Sequence, residues 1–591
     1  MTDTHDKLQN VRWSLDELYP ALDSPELEKD LDSLLTSANA FQSNRAELTE
    51  SISAEKFHAV IQQLEAIYRI AHRLGSYAGL SSAADTQNQK ALSLVARTEH
   101  AFAQVGNQTL FFSLWWKDVS QETADRLLET SGDYRYWLEM IRLFKPHTLT
   151  EPEEKIANIK QTTGASALDM LYDTITNRFT FDLTVDGETK SLSRSQLMVY
   201  VHHQDPAIRQ AAYQELYRVY GDQGPVLGLI YQTLVRDWHN DKIDLRGYNK
   251  PISARNLNND IPDDVVDTLL EVCQRNAGIF QRYFKLKARL LSIDQLRRYD
   301  LYAPVVHSDR SFDYPQAVKL VLDAYQNFSP ELHDLAQRVI SQEHVDSELR
   351  HGKRGGAFCA TVLPELSPWV LLNFTGNARD IATLAHELGH AVHAMLADEH
   401  TLFTQHACLP LAETASTFGE MLLVDHLLAE LDDPQLRKDL LFRQVDDAYA
   451  TIGRQAFFAL FEVEAHDMVQ KNATVDELAD AYLANLKLQF GDAMSIGEEF
   501  KWEWVSIPHI YGMPFYVYAY AFGQLLVFAL YQRYKEEGEA FKAGYRKILA
   551  AGGSLPPAQI LREAGVDITS ASFWQGGFDV ISRMIDQLEQ L

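Results

Sequence analysis

Thr383-Leu384-Ala385-His386-Glu387-Leu388-Gly389-His390-Ala391-Val392-His393 is the stretch on which the fold turns. It sits inside a segment, Asn377 to about Ala397, that reads as one helix, with Asn377 as N-cap and Asp380 favourably placed in the first turn. On that helix His386 and His390 are four apart and project from one face, so both imidazoles can converge on a single Zn²⁺ at about 2.0–2.1 Å. Glu387 lies roughly 100° further round, beside the metal, where its carboxylate can accept a proton from zinc-bound water. An H-E-x-x-H pattern arises by chance about once in twenty chains of this length, so the surrounding sequence must supply the rest of the site.

A catalytic zinc needs a third protein ligand and an open position. The H-x-x-G-x-x-H continuation of one large peptidase class is excluded, because His393 stands where its Gly belongs and Leu396 where its His belongs. A carboxylate from a later helix is the other common solution. Leu409 to Glu420 opens a second helical pattern with Pro410 suited to its first turn. Glu413 falls 23 residues after His390, enough for a turn-back that lays this helix on the first. Glu420, seven further on and so on the same face, can accept the outer N–H of a ligating His. Ala412, Ala415 and Phe418 beside them favour burial over two solvated glutamates. The neighbouring His393, His400 and His406 read as packed or exposed residues, and Cys359 and Cys408 as small buried thiols without a nucleophile signature.

Working outward, the 591 residues carry 54 Lys plus Arg against 82 Asp plus Glu, a net charge of −28. Such a surface repels nucleic-acid phosphates and anionic lipid heads. Three scattered cysteines, Cys273, Cys359 and Cys408, argue for a reducing compartment rather than a disulfide scaffold. The polar start Met1 to Lys7 lacks the basic and apolar regions of a secretory signal, which predicts a cytoplasmic protein. Residues 507 to 532 contain no Asp, Glu, Lys or Arg, but Pro508, His509, Pro514, Gln524 and five tyrosines suit a polar-lined interior better than hydrocarbon. Helical periodicity dominates from Ser24 to about Leu143, as in Phe57, Val60, Ile61, Leu64, Ile67, Tyr68 and Ile70. Alternation from Phe179 to Val185 into Asp186-Gly187 predicts a hairpin and marks a seam between lobes. Gly352 to Ala360 is rich in glycine and precedes the apolar extended run Trp369 to Phe374. Gly355, Gly356, Ala357 and Phe358 are small enough in sum to let a substrate backbone approach as an added strand.

These segments together resemble the thimet oligopeptidase and oligoendopeptidase F group of zinc metallopeptidases, the second branch more closely. The resemblance rests on Thr383 to His393, on Ala412 to Glu420 and on Gly352-Lys353-Arg354, and its motifs are dense from about residue 350 to 530. Thr414 and Gly419 depart from the Ile or Val and the Asn of the family pattern. The resemblance implies a mainly α fold: two helical lobes enclosing a deep channel, with a zincin-type H-E-x-x-H core and a small β-sheet. It implies an N-terminal helical lobe over 1–190 and a catalytic domain over 191–591. One zinc per chain would be held by His386, His390 and Glu413, with Glu420 behind His386. Ile507 to Tyr520 looks like the family's His and Tyr segment, in which His509, Tyr511 and Tyr518 bind substrate and oxyanion, with Tyr516 a rival to the tyrosines. The expected activity is cleavage of internal bonds in short oligopeptides by metal-activated water, with Glu387 as general base. Neither nucleic acid nor membrane is an expected partner. The alternatives are a carboxydipeptidase on the same zinc site and a silent peptide-binding scaffold.

Overall fold

The computed structural model describes residues 11–305, 311–430 and 434–591; Met1 to Lys7, read above for a signal, lie outside them. Helices dominate, with three small sheets among the described residues. Two compact units emerge, each assembled from three stretches of chain.

The first unit comprises Met1–Lys145, Asp309–Asp432 and Arg533–Val566. Its long helices Ala54–Ala84 and Gln89–Asp118 start where Ser53 and Asn88 accept first-turn N–H groups that would otherwise be orphaned. Phe57, Val60, Ile61, Leu64 and Ile67 form the buried stripe of the first, each stabilising by about 1.5–3 kcal/mol. The motif helix runs Ala378–Leu396 behind a capping box of Asn377 and Asp380. Asp380 Oδ2 also accepts the N–H groups of Thr375 and Gly376 at 2.6 and 2.8 Å, which fixes where the helix begins. Ile381, Leu384, Ala385, Leu388 and Ala391 bury its inner face.

Beside this helix lies a three-stranded sheet whose central strand, Trp369–Leu371, is fully buried. Val345–Asp346 pairs with it in parallel and Phe358–Ala360 antiparallel, in the register Phe358↔Leu371, Cys359↔Val370, Ala360↔Trp369. Phe358–Ala360 is therefore an edge strand. The loop leading into it is tied down by buried Lys353, whose Nζ donates to Asp346 O and Glu348 O, both at 2.9 Å, and pairs with the Asp346 carboxylate at 2.8 Å. Gly352 and Gly356 supply the turns, with φ of +83° and +80°.

The second unit comprises Pro146–Ser308, Asp433–Gln532 and Asp567–Leu591. It contains the hairpin Phe181–Val185 with Glu188–Leu192, closed by Asp186 and Gly187 at φ +54° and +80°, the two positive values a tight hairpin turn requires. The hairpin lies inside this unit and marks no seam: Phe181, Leu183 and Val185 bury one face of their strand in it. In the unit's interior Glu503 accepts from Arg298 and Arg454 at 2.8 and 2.9 Å, pairing charges that would otherwise be costly to bury. The charge-free stretch becomes the short helix His509–Gly512 and the start of Tyr518–Glu537. No described helix is long and apolar enough to cross a membrane.

Candidate metal centre

His386 and His390 stand one turn apart on the motif helix, ring centroids 4.8 Å apart and planes at 84°. Their Nε2 atoms lie 3.3 and 3.4 Å from Glu413 Oε2. All three side chains belong to the first unit, and their donor atoms lie within 4.8 Å of one another. Donors about 2.05 Å from an ion at tetrahedral corners stand about 3.3 Å apart. The two carboxylate–imidazole separations match that edge, so these residues fit a tetrahedral metal and leave its fourth position for something else.

Glu413 is brought there differently from the helical expectation. The Leu409 to Glu420 segment is not one helix: a short helix ends at Ala412, Glu413 follows as its cap, and a new helix runs Ser416–Glu430. The seven-residue argument placing Glu413 and Glu420 on one helical face therefore fails, although both still reach His386. The break turns the backbone of Ala415 and Ser416 directly onto the motif helix. A Cβ at Gly389 would stand 2.5 Å from Ser416 Cα and 2.7 Å from Ala415 O, so only glycine permits this approach. Ser416 Oγ then donates to Glu413 Oε2 at 2.8 Å and orients the carboxylate. Glu420 Oε1 accepts Nδ1–H of His386 at 2.6 Å, which leaves Nε2 as the nitrogen facing Glu413 and the one that would bind a metal once its proton is lost.

Of the two departures from the family pattern, Gly419 has a structural reason, and nothing in the structure explains the Thr414 side chain. A side chain at Gly419 would collide with the hydroxyl of Tyr325, which donates to Ala385 O in the motif helix at 2.5 Å. Thr414 O accepts from Tyr545 at 3.0 Å, pinning the turn after Glu413. Gly389, Tyr325 and Ser416 were not picked out by sequence reasoning. A glycine between the two histidines of an otherwise apolar helix face was the available signal for close approach.

Glu387 is 7% exposed. Burial, with Glu413 and Glu420 adding to it, pushes its carboxyl up to about 7 against the opposing pull of His386. Burial disfavours charge on His386, but hydrogen bonds to Glu413 and Glu420 outweigh it and raise the imidazole well above its usual value. Burial likewise works against Glu413, yet the two imidazoles and Ser416 bring it to about 2. Burial lowers His390. A cavity of about 460 Å³ opens in front of these groups, walled by Ala357, Phe358 and Cys359 on one side and by Glu387, His393 and His406 on another. Burial pushes His393 down to about 4, so it lines the cavity as a neutral ring. His400 instead bonds Asp133 and Ala550 O, away from the donor set. Gly355 and Gly356 form the exposed turn ahead of the edge strand, held by Asn373 Nδ2 donating to Arg354 O and Gly356 O.

His509, Tyr511 and Tyr518 belong to the second unit. His509 is partly buried, its ring parallel to Tyr516 at 6.1 Å and edge-on to Tyr520 at 6.0 Å. Tyr511 is 2% exposed, stacked on Tyr172 at 3.8 Å, and its hydroxyl donates to Leu227 O at 3.3 Å. That placement makes Tyr511 a packing residue and removes it as a substrate-facing hydroxyl. Tyr518 is buried too, its hydroxyl accepting from Asn259 Nδ2 at 2.8 Å, whereas Tyr516 remains partly exposed.

Comparison with known proteins agrees with this geometry. The model of peptidase family M3 matches residues 199–580, and the oligopeptidase F model matches 115–181. Oligopeptidase PepF of Bacillus subtilis is 26% identical, over 98% of this chain and 87% of its own length. An oligoendopeptidase F homolog of Lactococcus lactis is 27% identical over 91% of this chain and 90% of its own. A Chlamydophila abortus protein described as a peptidase superposes with a TM-score of 0.89 at 25% identity, covering 98% of both chains. Oligoendopeptidase-F from Enterococcus faecium shares the fold, with a TM-score of 0.72 at 24% identity over 95% of this chain and 99% of its own. This chain belongs to peptidase family M3, with an oligopeptidase F segment ahead of the family core.

Proposed function

We propose that the protein is a zinc-dependent endopeptidase that hydrolyses internal bonds of short oligopeptides. One observation carries the proposal: His386 and His390 face a cavity that an edge strand and a buried carboxyl also line, and Glu413 Oε2 lies 3.3 and 3.4 Å from their Nε2 atoms, the edge length of a tetrahedral donor set. The names of the relatives support the oligopeptide substrate class and the endo mode of cleavage. Three free cysteines among the described residues agree with a cytoplasmic setting. The acidic surface speaks against nucleic acid or membrane as partners. The division into 1–190 and 191–591 is kept as a division of family parts along the sequence.

His386, His390 and Glu413 would hold the ion, and Glu420 fixes the His386 ring by taking its Nδ1–H. Zinc, when bound, supplies Lewis acidity to the reacting carbonyl and to the attacking water. The edge strand at Phe358, with Gly355, Gly356 and Ala357 leading into it, receives the substrate backbone as an added strand. Glu387 takes a proton from the attacking water at its carboxylate and later gives it to the departing amine nitrogen. Burial suits it to both tasks, because a group that titrates near neutrality accepts and releases a proton at similar cost. His509 keeps the substrate-binding role that the family resemblance implies, with the partly exposed Tyr516 taking the place of the buried Tyr511 and Tyr518.

The test is cleavage of end-blocked, internally quenched peptides of about 5–15 residues, a range suited to strand addition, by zinc-loaded wild type and Glu387→Gln. Internal cleavage by wild type, abolished in Glu387→Gln at unchanged zinc content, is the expected outcome. Cleavage retained in the variant would overturn the role of Glu387. Cleavage only of peptides with free termini would indicate an exopeptidase.

A further inference from the structure

Phe515 carries φ +58°, a left-handed conformation that a bulky aromatic residue rarely adopts. Such strain persists only where surrounding structure imposes it. Two hydrogen bonds do so here. Glu462 Oε1 accepts the N–H of Phe515 at 2.7 Å, and Arg255 Nε donates to the carbonyl of Pro514 at 3.1 Å. The Pro514–Phe515 peptide unit is thus held at both its polar ends, C=O and N–H, by side chains from elsewhere in the second unit. The Phe515 ring is seated as well, against His466 at 4.4 Å and Trp238 at 6.3 Å. Immediately after it comes Tyr516, whose N–H closes a turn on Met513 O at 3.1 Å and whose ring lies within 2° of parallel to His509.

From this geometry we propose that Glu462 and Arg255 are positioning residues: together they hold Phe515 left-handed, and this aims Tyr516 alongside His509 as a substrate-facing pair. The proposal rests on the peptidase reading for what the pair does, but not for the clamp itself. Glu462 is wholly buried, an expensive place for a carboxyl that accepts this one hydrogen bond among the described residues. Its other oxygen, Oε2, meets no protein donor. Burial pushes Glu462 up to about 8, with the Phe515 N–H and Arg255 pulling the other way, so a neutral carboxyl serves as the acceptor near pH 7. A buried acid retained for one backbone N–H, at the one strained residue of its loop, is costly as packing and useful as a clamp. Arg255 also feels Tyr516 and Tyr518 electrostatically, so the clamp and both tyrosines share one neighbourhood.

The test uses the full chain, zinc-loaded, with Glu462→Gln, Glu462→Leu and Arg255→Met, reading kcat and KM on a quenched peptide. Hydrogen exchange over residues 510–518, thermal unfolding and zinc content are read beside them. Glu462→Gln keeps an acceptor oxygen and should hold kcat within about 2-fold. Glu462→Leu should lower kcat about 10-fold or more and speed exchange across 513–516 at unchanged zinc content. Arg255→Met, at a partly exposed position that tolerates change, should act in the same direction. Wild-type kcat and wild-type exchange in both Glu462→Leu and Arg255→Met would overturn the clamp, as would a fall in kcat that tracks only the folded fraction. Faster exchange in Glu462→Leu, with wild type itself unable to cleave any peptide, would uphold the clamp and count against the peptidase reading instead.

Discussion

Replacing Gly389 by Ala tests how the metal site is held together, because no ligand is touched. The added methyl would stand 2.5 Å from Ser416 Cα and 2.7 Å from Ala415 O, both backbone atoms that cannot swing aside. Carbon atoms pack at about 3.5–4.0 Å, so the segment carrying Glu413 must retreat by about 1 Å. Metal–ligand distances tolerate about 0.2 Å. The retreat is therefore several times what the site can absorb, and Glu413 Oε2 leaves its place 3.3 and 3.4 Å from the two imidazole nitrogens. If the helices instead stay put, the overpacking costs about 1–3 kcal/mol. Zinc affinity should fall at least about 10-fold, read by competition with a chromogenic chelator. The melting temperature should fall by about 2–4 °C per kcal/mol of strain. Gly79→Ala is the matched control: it sits in the helix Ala54–Ala84 with nothing within 4 Å of the added methyl. There the change should be neutral or stabilising by up to about 1 kcal/mol. Gly389→Ala binding zinc as tightly as wild type, and melting with it, would refute the close-approach argument.

Three further outcomes are expected. Glu420→Ala leaves His386 Nδ1–H without its acceptor and should weaken zinc binding about 10–100-fold in the same competition assay. In the metal-free protein the carboxylates keep His386 protonated above its usual value, so zinc must displace that proton. Calorimetry in buffers of different ionisation heat should show about one proton released per zinc near pH 7, and none released would contradict the assignment. Away from the metal, His400 bonds Asp133 through Nδ1 at 2.8 Å and Ala550 O through Nε2 at 2.9 Å, an arrangement that needs both nitrogens protonated. The Asp133 hydrogen bond raises His400 above 6.5 against burial, so this contribution is complete below that pH and disappears as pH rises through the folded value. Burial works against the Asp133 carboxylate, but His400, Thr401 and Thr404 hold it below 3.8, so its half of the pair survives down to that value. His400→Gln should therefore cost most stability near pH 5, about 1.5–3 kcal/mol, and least near pH 9; a cost that grows with pH would sink the argument.

Much of the metal site was legible because its information is local. His386, Glu387 and His390 lie on one turn of a helix whose start is announced by Asn377 and Asp380, and the structure caps it there. The hairpin at Asp186-Gly187 was legible for the same reason, since two residues with positive φ define it. Glu413 was found by its distance along the chain, but its backbone was misread. Propensity from Leu409 to Glu420 favours one helix, whereas packing against Gly389 breaks it at Glu413, and tertiary contact overrides propensity at such a junction. Tyr511 misled for a related reason. Five aromatic residues crowd positions 511 to 520, and a hydroxyl aimed at substrate differs from one tied to Leu227 O only through residues hundreds of positions away.

Charge bookkeeping at the centre links these observations. Two neutral imidazoles and the Glu413 carboxylate leave a divalent ion with one surplus positive charge, and the carboxylate of Glu420, one hydrogen bond behind His386, balances it. Without an ion the same two carboxylates flank His386 through Nε2 and Nδ1, and both act on the buried Glu387. That arrangement keeps His386 protonated and pushes Glu387 up. With a dication held there, His386 would lose its proton and Glu387 would be favoured as the carboxylate. Glu387 would therefore be a carboxylate when the centre is complete, and it titrates near neutrality, at about 7, when it is not. The surroundings that make it a base at neutral pH are thus the ones that the Gly389 contact holds in register.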